Sequence, residues 1–524
     1  MKILIISAHA EPDTPSLQLA FFQPFEKSFA YSRINGPYKI ATEMRNLGHD
    51  VEVVDFIFYW SDKELEKLFN DRIPHVDVVA WSSQFFYNHV FYRKWADYIK
   101  QINPKVELIT GGPKVNNLLN FDRSKYLLAG YAENAIKDVL NHIEGTSKKL
   151  KFKLVNNQYY IDCPEFYPMT DDVGLVTEHH ESDCIEKDET LTMGTTRGCI
   201  FNCTFCTYPL IGKGKNQFDR TVVESYYREL MTNYERWGTT NYYLPDETAN
   251  DSIEKLRILE QAAERLPFKL DLTGFIRIDL LGKQRPYWEL FKNIGFTNWH
   301  FGVETLNPTS LKILGKPYSP EKLKDIMLDM SEYFEDNICS YASFMIGCPE
   351  DSPELFEKYT LDWLRNEGKT ALTGKIFFPL NILNENPFSI GSEFTRNYKS
   401  YGYHEMAHED IVKEQQLDNQ ITDEVIKETK KYTVLWKNKH WNIVSAHRYS
   451  SYCEDQVRWH NNLSPWHRAR GRSVGLSHKE IINLCNPVNK PFREELDRRI
   501  DINLKQYIQN KLNKSWLNQN QLTS

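Results

Sequence analysis

Short apolar runs recur along the first third of the chain, separated by stretches in which apolar positions follow helical spacing. Ile3–Ile6, Val51–Val54, Val76–Trp81, Val106–Thr110 and Tyr126–Ala129 read as strands, with helical stretches such as Tyr38–Leu47 and Phe91–Ile102 between them. Strand–helix alternation of this kind predicts a doubly wound α/β domain over residues 1–145, with a mostly parallel sheet. A ligand of such a sheet sits at the C-terminal ends of the strands.

The pattern breaks over 146–188, which reads as a linker. Lys151–Val155 and Tyr159–Ile161 flank an Asn156-Asn157 turn there and predict a small hairpin. Strand–helix units resume over 189–385, with strands at Thr190–Thr195, Asn241–Leu244, Lys269–Ile276, Thr297–Val303, Ser340–Ile346 and Gly374–Pro379. Six such repeats suit a partial (β/α)6 barrel of the TIM type, whose chemistry belongs at the strand C-termini. Residues 386–524 lack a clear repeat and are expected to form a mostly helical cap.

Composition narrows the class. A formal net charge of −7 over 524 residues argues against bulk binding to nucleic acid or to an anionic membrane. The run Met1–Ser7 is too short for a signal peptide, and no apolar stretch approaches a membrane span, so a cytoplasmic chain is expected.

The 9 cysteines are unevenly placed: residues 1–162 have none, while Cys199, Cys203 and Cys206 fall within one short segment. Three thiolates at this spacing fit one tight loop and can hold three corners of a [4Fe–4S] cube, which wants four ligands. The fourth iron then stays open to a small molecule such as S-adenosylmethionine. The competing reading is structural zinc, which takes four protein ligands in paired spacings; the nearest other cysteines here are Cys184 and Cys339.

The segment Thr196-Arg197-Gly198-Cys199-Ile200-Phe201-Asn202-Cys203-Thr204-Phe205-Cys206 resembles the signature of the radical S-adenosylmethionine superfamily. The resemblance implies a [4Fe–4S] cluster on the three cysteines, bound S-adenosylmethionine, and an electron donor such as flavodoxin or ferredoxin. It also implies that Phe205 lies near the adenine. Later segments resemble the family's barrel elements in order. Asp246-Glu247 resembles the acidic segment that helps hold the methionyl amine, a charge-assisted contact. Arg277 and Asp279 resemble an Arg-x-Asp pair. Gly302 and Glu304, followed by Leu314 and Lys316, resemble the fourth-strand segment. Ile346 and Gly347 resemble the fifth-strand segment whose backbone lies near adenine.

In the N-terminal domain, Gly111-Gly112-Pro113 and Gly130-Tyr131-Ala132-Glu133 end successive strands, and glycine there lets a ligand approach the backbone closely. With Ser82 and Ser83 they resemble the cobalamin-binding domain that precedes the barrel in one large branch of the superfamily. That likeness implies a cobalamin site at Ser82, Gly111, Gly112, Gly130 and Glu133. The Asp-x-His-x-x-Gly motif that supplies a lower cobalt ligand is absent. A domain that has lost its cofactor and only docks on the barrel is the other reading.

The C-terminal segment 431–480 is basic, and carries Trp436, Trp441, Trp459 and Trp466 together with His460 and His467. It reads either as a site for an anionic or planar substrate or as a cap whose tryptophans pack on the barrel mouth. The expected reaction is methylation of an unactivated carbon. Radical rearrangement or cyclisation, and a non-catalytic zinc- or corrinoid-binding protein, are the alternatives. Nothing in the sequence names the substrate.

Overall fold

The computed structural model describes residues 1–7, 33–84, 89–112, 115, 121–170, 175–206, 217–316, 318–335, 338–380, 382, 392–407, 436–457, 474–476, 480 and 491–514. Two parallel sheets organise them. In the first, β1 (Lys2–Ile6), β2 (Asp50–Val54), β3 (Val78–Ser82), β4 (Glu107–Gly111) and β5 (Tyr126–Ala129) run parallel in the order β2-β1-β3-β4-β5. This is a doubly wound order, with its switch point between β1 and β3. Helices α1 (Asn35–Asn46) and α4 (Ile136–Ile143) cover one face through Tyr38, Ala41, Met44, Ile136, Val139 and Leu140. Helices α2 (Asp62–Arg72) and α3 (His89–Ile102) cover the other through Leu65, Leu68, Phe69, Tyr92, Trp95 and Ile99.

Two features extend this domain beyond residue 145. The hairpin of β6 (Lys153–Val155) and β7 (Gln158–Asp162) turns at Asn156 and Asn157, both at positive φ (50° and 63°). It is no free linker element: β7 pairs parallel with β5 and makes the sheet seven-stranded. The C-terminal helix Pro491–Asn513 also returns to this domain, placing Leu496, Ile500, Leu504, Tyr507 and Ile508 in the core beside α2 and α3. The Asp55 amide donates to the Tyr507 hydroxyl (2.8 Å), and buried Lys511 pairs with Glu52 (3.4 Å).

The second sheet follows chain order: β8 (Leu191–Thr192), β11 (Asn241–Leu244), β12 (Asp271–Ile276), β13 (Phe296–Glu304), β14 (Cys339–Ile346) and β15 (Gly374–Pro379), all parallel. Between β8 and β11 the chain makes a separate antiparallel pair, β9 (Thr196–Gly198) with β10 (Gln217–Asp219). Side chains facing the outer helices, including Tyr242, Leu272, Trp299, Phe301 and Ala342, are completely buried.

The cap packs on the ends of β14 and β15. The Trp436 indole donates to the Leu380 carbonyl (2.9 Å), the Trp441 indole to the Asp351 carbonyl (3.2 Å) and the Tyr403 hydroxyl to the Gly347 carbonyl (2.6 Å). Trp436 and Trp441 are therefore packing residues; Trp459, His460, Trp466 and His467 lie outside the described residues.

Beneath this cap Asp351 is buried, with Oδ1 accepting from Asn307 (3.3 Å) and from the Ser352 amide (3.0 Å), while Oδ2 has no hydrogen-bond partner. Burial raises its pKa from 3.8 to about 7. Between those two values the folded chain holds a proton that the unfolded chain releases, so stability declines as pH rises from 4 to 7. Asp351→Asn should flatten that decline, worth roughly 4 kcal/mol at most. Urea unfolding of both proteins at pH 5 and pH 8 checks this; an equal pH dependence in the variant would remove Asp351 as its source.

Candidate active site

The cysteine loop leaves β9 through Gly198 at φ +87° and is strapped from several sides. Cys199 is buried, whereas Cys203 and Cys206 keep partial access. The Cys206 amide donates to the Cys203 carbonyl (3.1 Å) and closes a turn. Thr204, within that turn, donates its amide to the Leu314 carbonyl (3.2 Å) and its hydroxyl to the Ile313 carbonyl (3.0 Å). From the cap, the Phe394 amide donates to the Thr204 carbonyl (3.1 Å). Gly315 permits the close approach. Its φ is +75°, and a side chain there would come within 3.2 Å of the Asn202 carbonyl oxygen.

Asp246, at the end of β11, was expected to face a bound methionyl amine. Its buried carboxylate instead accepts from the Thr195 and Thr196 amides (both 3.0 Å) and from the Thr195 hydroxyl. It thus anchors the strand that leads into the cysteines. Its neighbour Glu247 stays partly exposed. Burial, opposed by the Phe201 amide and reinforced by Glu247, pushes the Cys199 thiol above its ordinary pKa.

Arg277 and Asp279 form a bidentate pair (3.0 and 3.2 Å), which aims the guanidinium at the Cys203 sulfur (3.7 Å) and over the Phe201 ring (3.7 Å). Glu304 ends β13 at φ +71°, beside a register shift between Gly302 and Glu304, and pairs with buried Lys316 (2.9 Å). A side chain at Gly302 would meet the Glu304 carboxylate at 2.6 Å. Burial alone would lower the Lys316 pKa, but Glu304, with Tyr318 and Cys203, more than reverses this and raises it. Phe205 packs half-buried against the barrel core, 5.7 Å from the Lys316 ammonium. Ile346 is fully buried; at Gly347, φ +88°, a side chain would strike Trp436 at 2.7 Å.

On the first sheet, Ser82, Gly111, Gly112 and Gly130 lie together at the C-terminal strand ends. The Ser83 amide donates to the Gly111 carbonyl (2.8 Å), and Gly112, at φ +116°, would place a side chain 2.8 Å from the Ser83 hydroxyl. Glu133, expected at a ligand, is buried and paired with Arg197 of the cysteine segment, whose guanidinium also lies 4.7 Å from the Tyr131 ring centroid. Lys39 of α1 is buried beside them. Burial, then Arg197, lower its pKa to about 7 against the pull of Glu133 and Asp246.

Residues 193–360 match the family model described as the Radical SAM superfamily. They form a radical SAM domain. A curated relative, the uncharacterized methyltransferase PH0819 of Pyrococcus horikoshii, is 23% identical over 331 residues, 59% of this chain and 68% of the relative. Among solved structures, the radical S-adenosylmethionine methyltransferase TsrM from Kitasatospora setae is similar over 96% of this chain and 99% of its own, at TM-score 0.62 and 13% identity. The cobalamin-dependent radical enzyme OxsB is similar over 98% of this chain and 71% of its own, at TM-score 0.54 and 13% identity. At these identities the likeness concerns the fold.

The radical SAM family implies a [4Fe–4S] cluster and S-adenosylmethionine, and the residues present fit both. Three thiols, none in a disulfide, share one tightly held loop at the strand ends, with the Arg277 guanidinium beside one of them. Among the described residues no three Cys, His, Asp or Glu side chains converge as the ligands of a single metal ion do. A cube asks for a wider arrangement, since its thiolates bind separate irons. Sequence reasoning missed the Thr204 strap and the burial of Lys39. It also missed the partner of Glu133, although Glu133 and Arg197 both belong to recognisable motifs.

Proposed function

We propose that this radical SAM enzyme is a cobalamin-dependent methyltransferase acting on an unactivated carbon. The observation that carries the reading is the pairing of Glu133 with Arg197. Glu133 follows the glycine-rich end of β5 and Arg197 precedes Cys199 by two residues, so one ion pair sets the crevice of the first sheet against the cysteine loop. A reaction that uses both a corrinoid and a cluster needs those two places adjacent. TsrM is described with cobalamin and a [4Fe–4S] cluster bound, and OxsB with aqua-cobalamin and S-adenosylmethionine.

When bound, the cluster with S-adenosylmethionine supplies a 5′-deoxyadenosyl radical and cobalamin supplies a transferable methyl group. The chain's own residues do the holding. Cys199, Cys203 and Cys206 would bind the cluster, with Arg277 offsetting thiolate charge at Cys203. Glu247 and the Glu304–Lys316 pair would present polar groups to the methionyl and ribose parts, and Phe205 with the Ile346–Gly347 backbone would flank the adenine. Ser82, Gly111, Gly112 and Gly130 would leave room for the corrin or its nucleotide tail.

Anaerobic purification with added hydroxocobalamin should leave roughly one cobalt per chain, since the sheet has one such crevice. Gly112→Val disturbs the strand ends whatever the crevice holds, because of its φ and of Ser83. Ser82→Phe is the better probe: Ser82 is partly exposed at the edge of β3, and the larger side chain should displace cobalt while sparing the cluster. A protein that retains no cobalt yet modifies its substrate at full rate would remove the methyl-transfer reading and leave rearrangement or cyclisation.

A further inference from the structure

Four side chains on adjacent barrel strands share the inward face and touch in sequence. Tyr243 meets Phe275 (ring centroids 6.2 Å), Phe275 meets His300 (4.9 Å) and His300 meets Tyr341 (5.3 Å). The register agrees, since Phe275 pairs with His300 and His300 with Tyr341. Their outward-facing neighbours Tyr242, Leu272, Trp299 and Ala342 are completely buried against helices, whereas Tyr243, Phe275 and His300 all retain accessible surface. A side chain in the middle of a helix-covered sheet can keep that surface only on the lumen side. The lumen therefore holds open space walled by rings.

His300 is the polar exception in this wall. Its Nδ1 is sealed away without a hydrogen-bond partner, whereas Nε2 is not, so Nε2 is the ring nitrogen that can meet an occupant. Burial alone lowers the pKa from 6.5 to about 4, so the ring is neutral at pH 7. A neutral imidazole has one donor and one acceptor, and a buried polar atom left unpaired costs stability. The two cations at the mouth are already matched, Arg277 with Asp279 and Lys316 with Glu304. They offer no free positive charge to an anionic occupant.

We propose that the barrel lumen binds a neutral, planar ring compound between Tyr243, Phe275 and Tyr341, with His300 making the one directional hydrogen bond to it. This is the substrate class of the active site proposed above, and it rests on that reading. His300 is a specificity-determining residue that touches the ring substituent, not a proton carrier.

The test uses the anaerobically reconstituted full chain with small probes, by isothermal titration calorimetry. p-Cresol is neutral, flat and both donates and accepts; toluene lacks the hydroxyl; benzoate is anionic. p-Cresol should bind more tightly than toluene, and benzoate not measurably. His300→Phe should weaken p-cresol about tenfold and leave toluene unchanged, as loss of one hydrogen bond requires. Phe275→Ala should weaken both. Equal binding of p-cresol and toluene, preferred binding of benzoate, or no binding of any probe by a protein with an intact cluster spectrum would overturn the proposal. Failure of the radical SAM assignment shows separately, as a chain that binds p-cresol but assembles no cluster.

Discussion

Cys199→Ala, Cys203→Ala and Cys206→Ala should each give a folded protein that forms no detectable 5′-deoxyadenosine from S-adenosylmethionine under dithionite. The loop offers three thiols and the cube needs all of them, because one iron is already left to the small molecule. Fold loss does not confound the result. The loop backbone is fixed by Thr204, Leu314 and Phe394, none of which uses a thiol, and Cys203 and Cys206 are only partly buried. Matched controls sit elsewhere. Cys163 is sealed in the first domain's core, its thiol donating to the Ile161 carbonyl (3.7 Å), and Cys339 opens β14. Replacing either with Ala removes a small buried group and should spare 5′-deoxyadenosine formation. The checks are iron and sulfide per chain, the charge-transfer absorption of the cluster, and 5′-deoxyadenosine by mass spectrometry. Continued product formation by a Cys206 variant would take these three residues out of the role.

The strands of the first sheet were legible because parallel strands buried on both faces read as apolar runs. Those of the second, such as Asp271–Ile276 and Phe296–Glu304, mix in polar residues and were legible from their alternation with helices. The hairpin was legible at its turn, where Asn156 and Asn157 mark left-handed backbone, but its membership was not. β6 is largely exposed and only β7 pairs into the sheet, through residues such as Tyr160 and Ile161 that suit a free hairpin equally well. The C-terminal helix hides for another reason. Its buried residues Leu496, Ile500, Leu504 and Ile508 recur every fourth position, yet they stand among Arg, Asn, Gln and Lys, and their partners lie more than 400 residues earlier.

For the site, motif order picked out segments that the fold sets at strand ends, but it could not show which way a carboxylate turns. Asp246 faces the Thr195–Thr196 backbone and Glu133 faces Arg197, because each closes a polar account inside the protein that a linear pattern does not display. Glu304 shows the complementary case. Its left-handed φ is unusual for a residue with a side chain, and the strain is held in place by Lys316.

Glu133→Ala should be strongly damaging, and its pattern separates two roles for Glu133. The Glu133 and Arg197 side chains keep only 2% and 15% exposure, so the alanine variant leaves a guanidinium buried without its counter-ion. Breaking a buried pair from one side costs about 3–5 kcal/mol. Here the cost is compounded, because Glu133 also favours the charge of buried Lys39, which burial and Arg197 already disfavour. The disturbance falls on the strand that delivers Cys199. The variant should therefore melt earlier before any cofactor is added, and should hold less iron after reconstitution. Replacing Arg197 by Met in the same chain removes the stranded charge and should recover part of the stability, giving a coupling term well above the additive expectation. If Glu133 serves only as a corrinoid contact, the outcome differs at each step: cobalt falls, while the cofactor-free melting temperature and the iron content stay at wild-type values. Melting curves of the cofactor-free proteins, with iron and cobalt counted after reconstitution, decide between the two.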